Sequence, residues 1–163
     1  MLIEISGICQ HCAADVKVLM LNGNPLDNCG SCGESPIASR RVKGLIYVVT
    51  NPNQTGVKIG LTTKPMEQRL KSLSSTGVPG EFIPIVIFPS DRPKSDEKKV
   101  HEKLMKFKLA KEHFDLEPIE AALRTYRALN KRRPIFFDAK IEETFRLKLE
   151  LAKTQMQLRL RGA

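Results

Sequence analysis

All four cysteines of this chain stand in two C-x-x-C pairs, Cys9-Gln10-His11-Cys12 and Cys29-Gly30-Ser31-Cys32. Each pair is a knuckle that turns two sulfurs to one side. The gap between the pairs has the length of a short β-hairpin. Four thiolates at this spacing describe a tetrahedral structural zinc site. Two disulfides would use the same residues, but Met1-Leu2-Ile3-Glu4 has neither the basic start nor the long apolar stretch of a secretory leader. A redox C-x-x-C would explain only one pair. His11 reads as a solvated spacer, because four sulfurs already fill the shell. Val16 to Leu21 is a strand candidate, and Asn22-Gly23-Asn24-Pro25 is a turn. Together the pieces predict a zinc ribbon over residues 1–37. Knuckles this short build no core, so the metal must supply the folding energy.

The rest of the chain is long enough for a compact core. No apolar run approaches the roughly 18 residues of a membrane span. The expectation is a soluble, cytoplasmic protein with no membrane partner. The net charge of +9 suits a polyanion. Two basic clusters stand out, Arg40-Arg41 with Lys43, and Lys131-Arg132-Arg133. Both are candidates for phosphate contact. The first lies in a basic linker, residues 38–43. With the zinc module beside it, nucleic acid is the favoured partner.

Residues 44–130 read as the main domain. Gly44 to Thr50 is β-branched and apolar, a buried strand, and Val57 to Leu61 returns as the second arm of a hairpin. Pro65 and Glu67 mark a helix start. That helix runs to about Ser74, with Met66, Leu70 and Leu73 on one face and Thr76 to Gly80 breaking it. Phe82 to Phe88 is a third strand, which Pro84 assigns to an edge. Ser95-Asp96-Glu97 opens a second helix, with Val100, Leu104 and Phe107 as its core stripe. Glu112 to Leu116 is extended, and Pro118 starts a third helix. Residues 131–163 hold a basic linker and a long helix from Ala139 to Arg161. One stripe of that helix is Ile141, Phe145, Leu149, Ala152, Met156 and Leu160. Another is Leu147, Leu151 and Leu158. Two stripes suit a helix that touches its own domain and a partner chain, so self-association or a protein partner is left open beside wholly internal packing. The expected fold class is α/β (α+β): a small three-stranded antiparallel sheet flanked by helices, with the ribbon before it and the long helix after it.

The hairpin and its helix carry a constellation. Leu45-Ile46-Tyr47 is followed by Lys58-Ile59-Gly60-Leu61-Thr62, then Arg69, Glu97, Val100-His101 and Glu112-His113-Phe114. In this order they resemble the GIY-YIG nuclease superfamily from about Gly44 to Arg127, and within it the phage and bacterial DNA-binding branch with K-I-G-x-T as second motif. The resemblance implies that Tyr47 acts near the attacking water, that Arg69 neutralises the phosphate, and that Glu97 holds Mg²⁺ or Mn²⁺. Lys58 stands where the family has a second tyrosine, and the late family asparagine has no clear counterpart. His113 replaces a tryptophan and reads as structural. By residue chemistry, a guanidinium suits a phosphate bidentately, and His101, one turn after Glu97, suits proton transfer as well as it suits a structural role. Tyr47 as a packed strand aromatic and Glu97 as a helix-end charge are the duller readings.

Two functions follow from this reading. The first is a metal-dependent DNA endonuclease with Tyr47, Lys58, Arg69, His101 and Glu97 at its centre, and with RNA as second choice of substrate. The alternative is a non-cleaving DNA- or RNA-binding module that keeps the fold.

Overall fold

The computed structural model describes residues 1–38, 42–74 and 79–161. The linker residues Arg40 and Arg41 and the helix break at Thr76-Gly77-Val78 lie outside the described residues, as does the side chain of Leu160. The chain divides into two compact units, Met1–Arg41 and Val42–Ala163.

The first unit is a small antiparallel sheet in the order β1 (Leu2–Ile8), β2 (Asp15–Leu21), β3 (Asn24–Pro25). Its β1–β2 register pairs Ile3 with Met20 and Ile5 with Val18. Val18 and Met20 are buried, while Leu2, Leu19 and Leu21 on the opposite face are exposed. Gly23, at φ +88°, makes the turn into β3.

The second unit is built around β4 (Gly44–Thr50), which pairs on one side with β5 (Val57–Thr62) and on the other with β6 (Ile83–Ser90). The side chains of β4 alternate between two layers. Ile46 and Val48 face a core that includes Val100 and Leu104 of helix α2 (Pro93–Lys103) and its C-terminal turn, Ala121 and Ala122 of α3 (Pro118–Ala128), and Phe145 of α4 (Ala139–Arg161). Tyr47 and Val49 face a smaller core with Met66 and Leu73 of α1 (Met66–Ser74) and Phe82.

The sheet has six strands and not three. Its order is β7 (Lys108–Ala110), β8 (His113–Phe114), β5, β4, β6, β9 (Ile135–Phe136). The additions are two or three residues long, too short to leave a period-2 pattern in the sequence. The mixed α+β class stands, with four helices among the described residues. Pro84 therefore sits in an inner strand. It is accommodated because the β4–β6 register shifts beside it, and because β9 reaches only Val86 and Ile87. Helix α2 begins earlier than its Ser95 signal, with Pro93 in the first turn, and ends at Lys103. Phe107 belongs instead to a separate 3₁₀ turn, Met105–Phe107.

Helix α4 uses one of its two stripes in this unit. Phe145 is buried, edge-on to Tyr126 and tilted against Phe136, with Ile141 and Leu149 packed beside it. Leu147, Leu151 and Leu158 remain 58%, 60% and 63% exposed, and Met156 of the first stripe is exposed too. The helix is thus pinned at its N-terminal half. Phe145→Ala should cost about 3–5 kcal/mol. Urea denaturation would measure the loss, and amide exchange would show α4 released while β4 and β5 stay protected. A loss near zero would mean that α4 is held by something other than this aromatic cluster.

Candidate functional site

In the first unit the two knuckles bring Cys9, Cys12, Cys29 and Cys32 together, with all four sulfurs within 4.8 Å of one another. The closest pairs, Cys9–Cys32 and Cys12–Cys29, are 3.7 Å apart. That is far beyond the S–S bond of a disulfide. It is close to the roughly 3.8 Å edge of a tetrahedron with 2.3 Å metal–sulfur bonds. The His11 amide donates to Cys9 Sγ at 3.5 Å, so His11 contributes its backbone to the knuckle. Backbone amides of Cys32 and Ser31 draw the Cys29 thiol down to about 6. For Cys32 the Glu34 amide pulls the same way, but burial and the other three sulfurs outweigh it and push the thiol up to about 12. Thiolates held this close repel one another, and a cation among them offsets that repulsion. The donor set is compatible with structural zinc.

In the second unit a cleft of about 360 Å³ opens where β5 ends and α1 begins. Its wall includes Thr62, Lys64, Arg69, Ser72, Glu97 and Glu112. Arg69 is aimed by Tyr47: its Nε and Nη2 donate to the Tyr47 hydroxyl at 3.1 and 2.9 Å. Strand register makes this geometry, because Tyr47 lies opposite Gly60. A Cβ on Gly60 would stand 2.5 Å from Tyr47 Oη and 3.3 Å from Glu112 Oε2. Tyr47 is wholly buried. Burial raises its pKa despite the opposing hydrogen bond from Arg69, so it stays a neutral phenol at physiological pH.

The two carboxylates reach the cleft from different elements. Glu97 on α2 accepts the Leu61 amide at 2.9 Å through Oε1. Burial, and then the neighbouring Glu112 charge, raise its pKa, against the pull of His101, the Leu61 amide and Arg69. Glu112 sits in the turn between β7 and β8, its carbonyl bonded to the Ile59 amide at 3.0 Å and its Oε2 paired with Lys58 Nζ at 2.7 Å. Glu97 and Glu112 thus line the same cleft as Arg69.

Of the five residues expected at a reaction centre, Arg69 and Glu97 line the cleft. Tyr47 lies behind Arg69 as its anchor. Lys58 is held by Glu112. His101 turns to the Ile59 carbonyl, with Nε2 at 2.9 Å, and leans on the Phe114 ring. A carbonyl only accepts, so that nitrogen carries the proton. Glu112 is the carboxylate that motif reading left without a role, and only the β8–β5 pairing brings it into place. His113 is half-buried against Phe82. Among the basic clusters, Arg132 pairs with Asp96 and bonds the Pro89 carbonyl. Lys43, Lys131 and Arg133 are exposed.

Glu97 has a consequence for stability. A carboxyl whose pKa is higher in the fold than in the open chain binds its proton more tightly when folded. Its contribution favours the fold at acid pH and is lost as pH rises from the ordinary glutamate range through the raised value. Glu97→Gln keeps an acceptor for the Leu61 amide and removes the charge. The variant should be more stable than wild type at neutral pH, with the difference closing in acid. Urea melts across that range would show it, and a less stable variant at neutral pH would contradict this account of the site.

No curated protein and no solved structure was found to match the chain. The family that matches is the T5orf172 domain, over residues 44–153. This corrects the expected assignment to the GIY-YIG superfamily. The fragments that suggested it have packing reasons of their own: Ile46, Ile59 and Phe114 are wholly buried core residues, and Gly60 must lack a side chain opposite Tyr47. The match spans about two thirds of the 163 residues, and the chain belongs to the T5orf172 domain family.

Proposed function

We propose that this protein is a divalent-metal-dependent nuclease that binds DNA and hydrolyses its phosphodiester bonds, with a zinc-stabilised N-terminal module that helps to hold the substrate. The family is consistent with a nucleic-acid partner. The observation that carries the catalytic part is one guanidinium facing two carboxylates across a single cleft. Arg69 is the phosphate ligand. Its Nε and one Nη are held by the Tyr47 oxygen, which fixes the plane of the fork and leaves its remaining N–H groups for non-bridging oxygens. Such a fixed donor stabilises the charge that builds on phosphorus during attack. Glu97 and Glu112 would hold a divalent cation, which supplies an activated water and neutralises the leaving oxygen. Lys58 keeps the Glu112 carboxylate in position through its 2.7 Å ion pair. Tyr47 is a positioning residue here, as its hydroxyl is buried.

A second reading, a module that binds nucleic acid without cutting it, has an observation in its favour. His101, Tyr47 and Lys58 are all engaged within the protein. Glu97 is thus the sole candidate among the expected residues for moving a proton in the cleft. Nicking of supercoiled plasmid with and without Mg²⁺ or Mn²⁺ separates the two readings. Wild type should nick. Glu97→Gln should abolish nicking while leaving DNA binding intact. Arg69→Ala should slow it by on the order of 10² to 10³. Equal nicking by wild type and Glu97→Gln would sink the assignment of this cleft. Binding without nicking in any protein would leave the binding module.

For the N-terminal module, protein purified without chelator should carry one equivalent of zinc. Cys9→Ser or Cys29→Ser should lose the metal and unfold residues 1–38, with the second unit unaffected. Four titratable thiols with less than about half an equivalent of zinc would remove the metal from the account.

A further inference from the structure

The cleft is lined by charges of both signs, Glu97 and Glu112 with Arg69 and Lys64. One lysine lines it, and two more stand within three residues of its carboxylates, Lys94 before Glu97 and Lys111 before Glu112. Lys64 lies on its wall, in the loop after β5. Lys94 is the second residue of α2, next to Pro93, whose ring packs at Gly44 beside the Thr62 carbonyl. Lys111 precedes Glu112 in the turn between β7 and β8. All three are exposed, and none has a carboxylate partner among the described residues. This sets them apart from Lys58, Lys71, Lys98 and Lys153, which are paired.

Two of the three stand where stability disfavours them. Lys94 is in the first turn of α2, where the helix dipole repels a cation. Lys111 takes φ +47°, a conformation that glycine or asparagine adopts at less cost. Residues kept against local preference are expected at working surfaces. We infer that Lys64, Lys94 and Lys111 form a collar that seats a sugar–phosphate backbone across the mouth of the cleft and delivers one phosphate to Arg69. The collar rests on the reading of this cleft as a nucleic-acid site, but not on cleavage. Acidic ligands of other shapes suit it less, because three point charges spread around a mouth match a run of phosphates and not a single anion.

The test compares two triple variants of equal charge. The collar triple is Lys64→Gln, Lys94→Gln and Lys111→Asn, asparagine being chosen for the positive φ. The control triple is Lys103→Gln, Lys140→Gln and Lys148→Gln, all exposed positions outside the cleft. Thermal melts first confirm that both fold. Affinity is then measured against salt, without added divalent cation, on a duplex DNA and a duplex RNA of the same sequence. The collar triple should lower the slope of log affinity on log salt by roughly 0.9 per lysine, and the control triple by much less. A drop on either duplex supports the collar, and the larger drop identifies the polynucleotide. A collar triple with the wild-type slope, or two triples that fall alike, overturns the inference. Wild type that binds neither duplex overturns it together with the proposed function. Salt-sensitive binding through the collar with no nicking leaves it standing and removes cleavage alone.

Discussion

Strand β4 has no solvent face, and the rest of the second unit is arranged around that constraint. A strand buried on both faces must be covered by two layers and paired on both edges. Ile46 and Val48 hold α2, α3 and α4 on one side, while Tyr47 and Val49 hold α1 on the other. The pairings to β5 and β6 satisfy its backbone. Because side chains alternate with a period of two, a slip of one residue would exchange the two layers and turn Tyr47 away from Arg69. The candidate site is therefore a by-product of core register.

The same burial sets the chemistry. Burial raises the Tyr47 pKa, so its hydroxyl is neutral at physiological pH, and its oxygen accepts from the Arg69 guanidinium. Gly60 is the complementary absence, a missing side chain that leaves room for the hydroxyl and for Glu112. The cleft concentrates opposing charges at the end of β5, where α1, α2 and the β7–β8 turn converge. Burial and the Glu112 charge raise the Glu97 pKa there.

The two units draw on different sources of order. The first has few buried side chains beyond Val18 and Met20 and places its cysteines where a metal would join both knuckles. The second has an extended apolar core. Helix α4 joins that core through Phe145 and then continues with exposed leucines. The apolar stripe of Leu147, Leu151 and Leu158, legible as a pattern, remains exposed among the described residues.

The sequence by itself determined the features that depend on near neighbours. The paired cysteines, the β4–β5 hairpin, the helix starts at Pro65 and Pro118, and the mixed α+β class follow from spacing, periodicity and turn chemistry. Arg69 and Glu97 stood among the residues expected at a site, and both line the cleft. Tertiary structure decided what distant residues do to one another. Strands β8 and β9 exist because the longer β5 and β6 pair with them, and β7 because it pairs with β8, so no local pattern announced the six-stranded sheet. Glu112 entered the cleft through the β8–β5 pairing, and Lys58 and His101 left it by finding Glu112 and the Ile59 carbonyl. A hydrogen bond between residues 42 positions apart leaves no trace in either one's neighbours, and for that reason the composition of the site was settled by the fold.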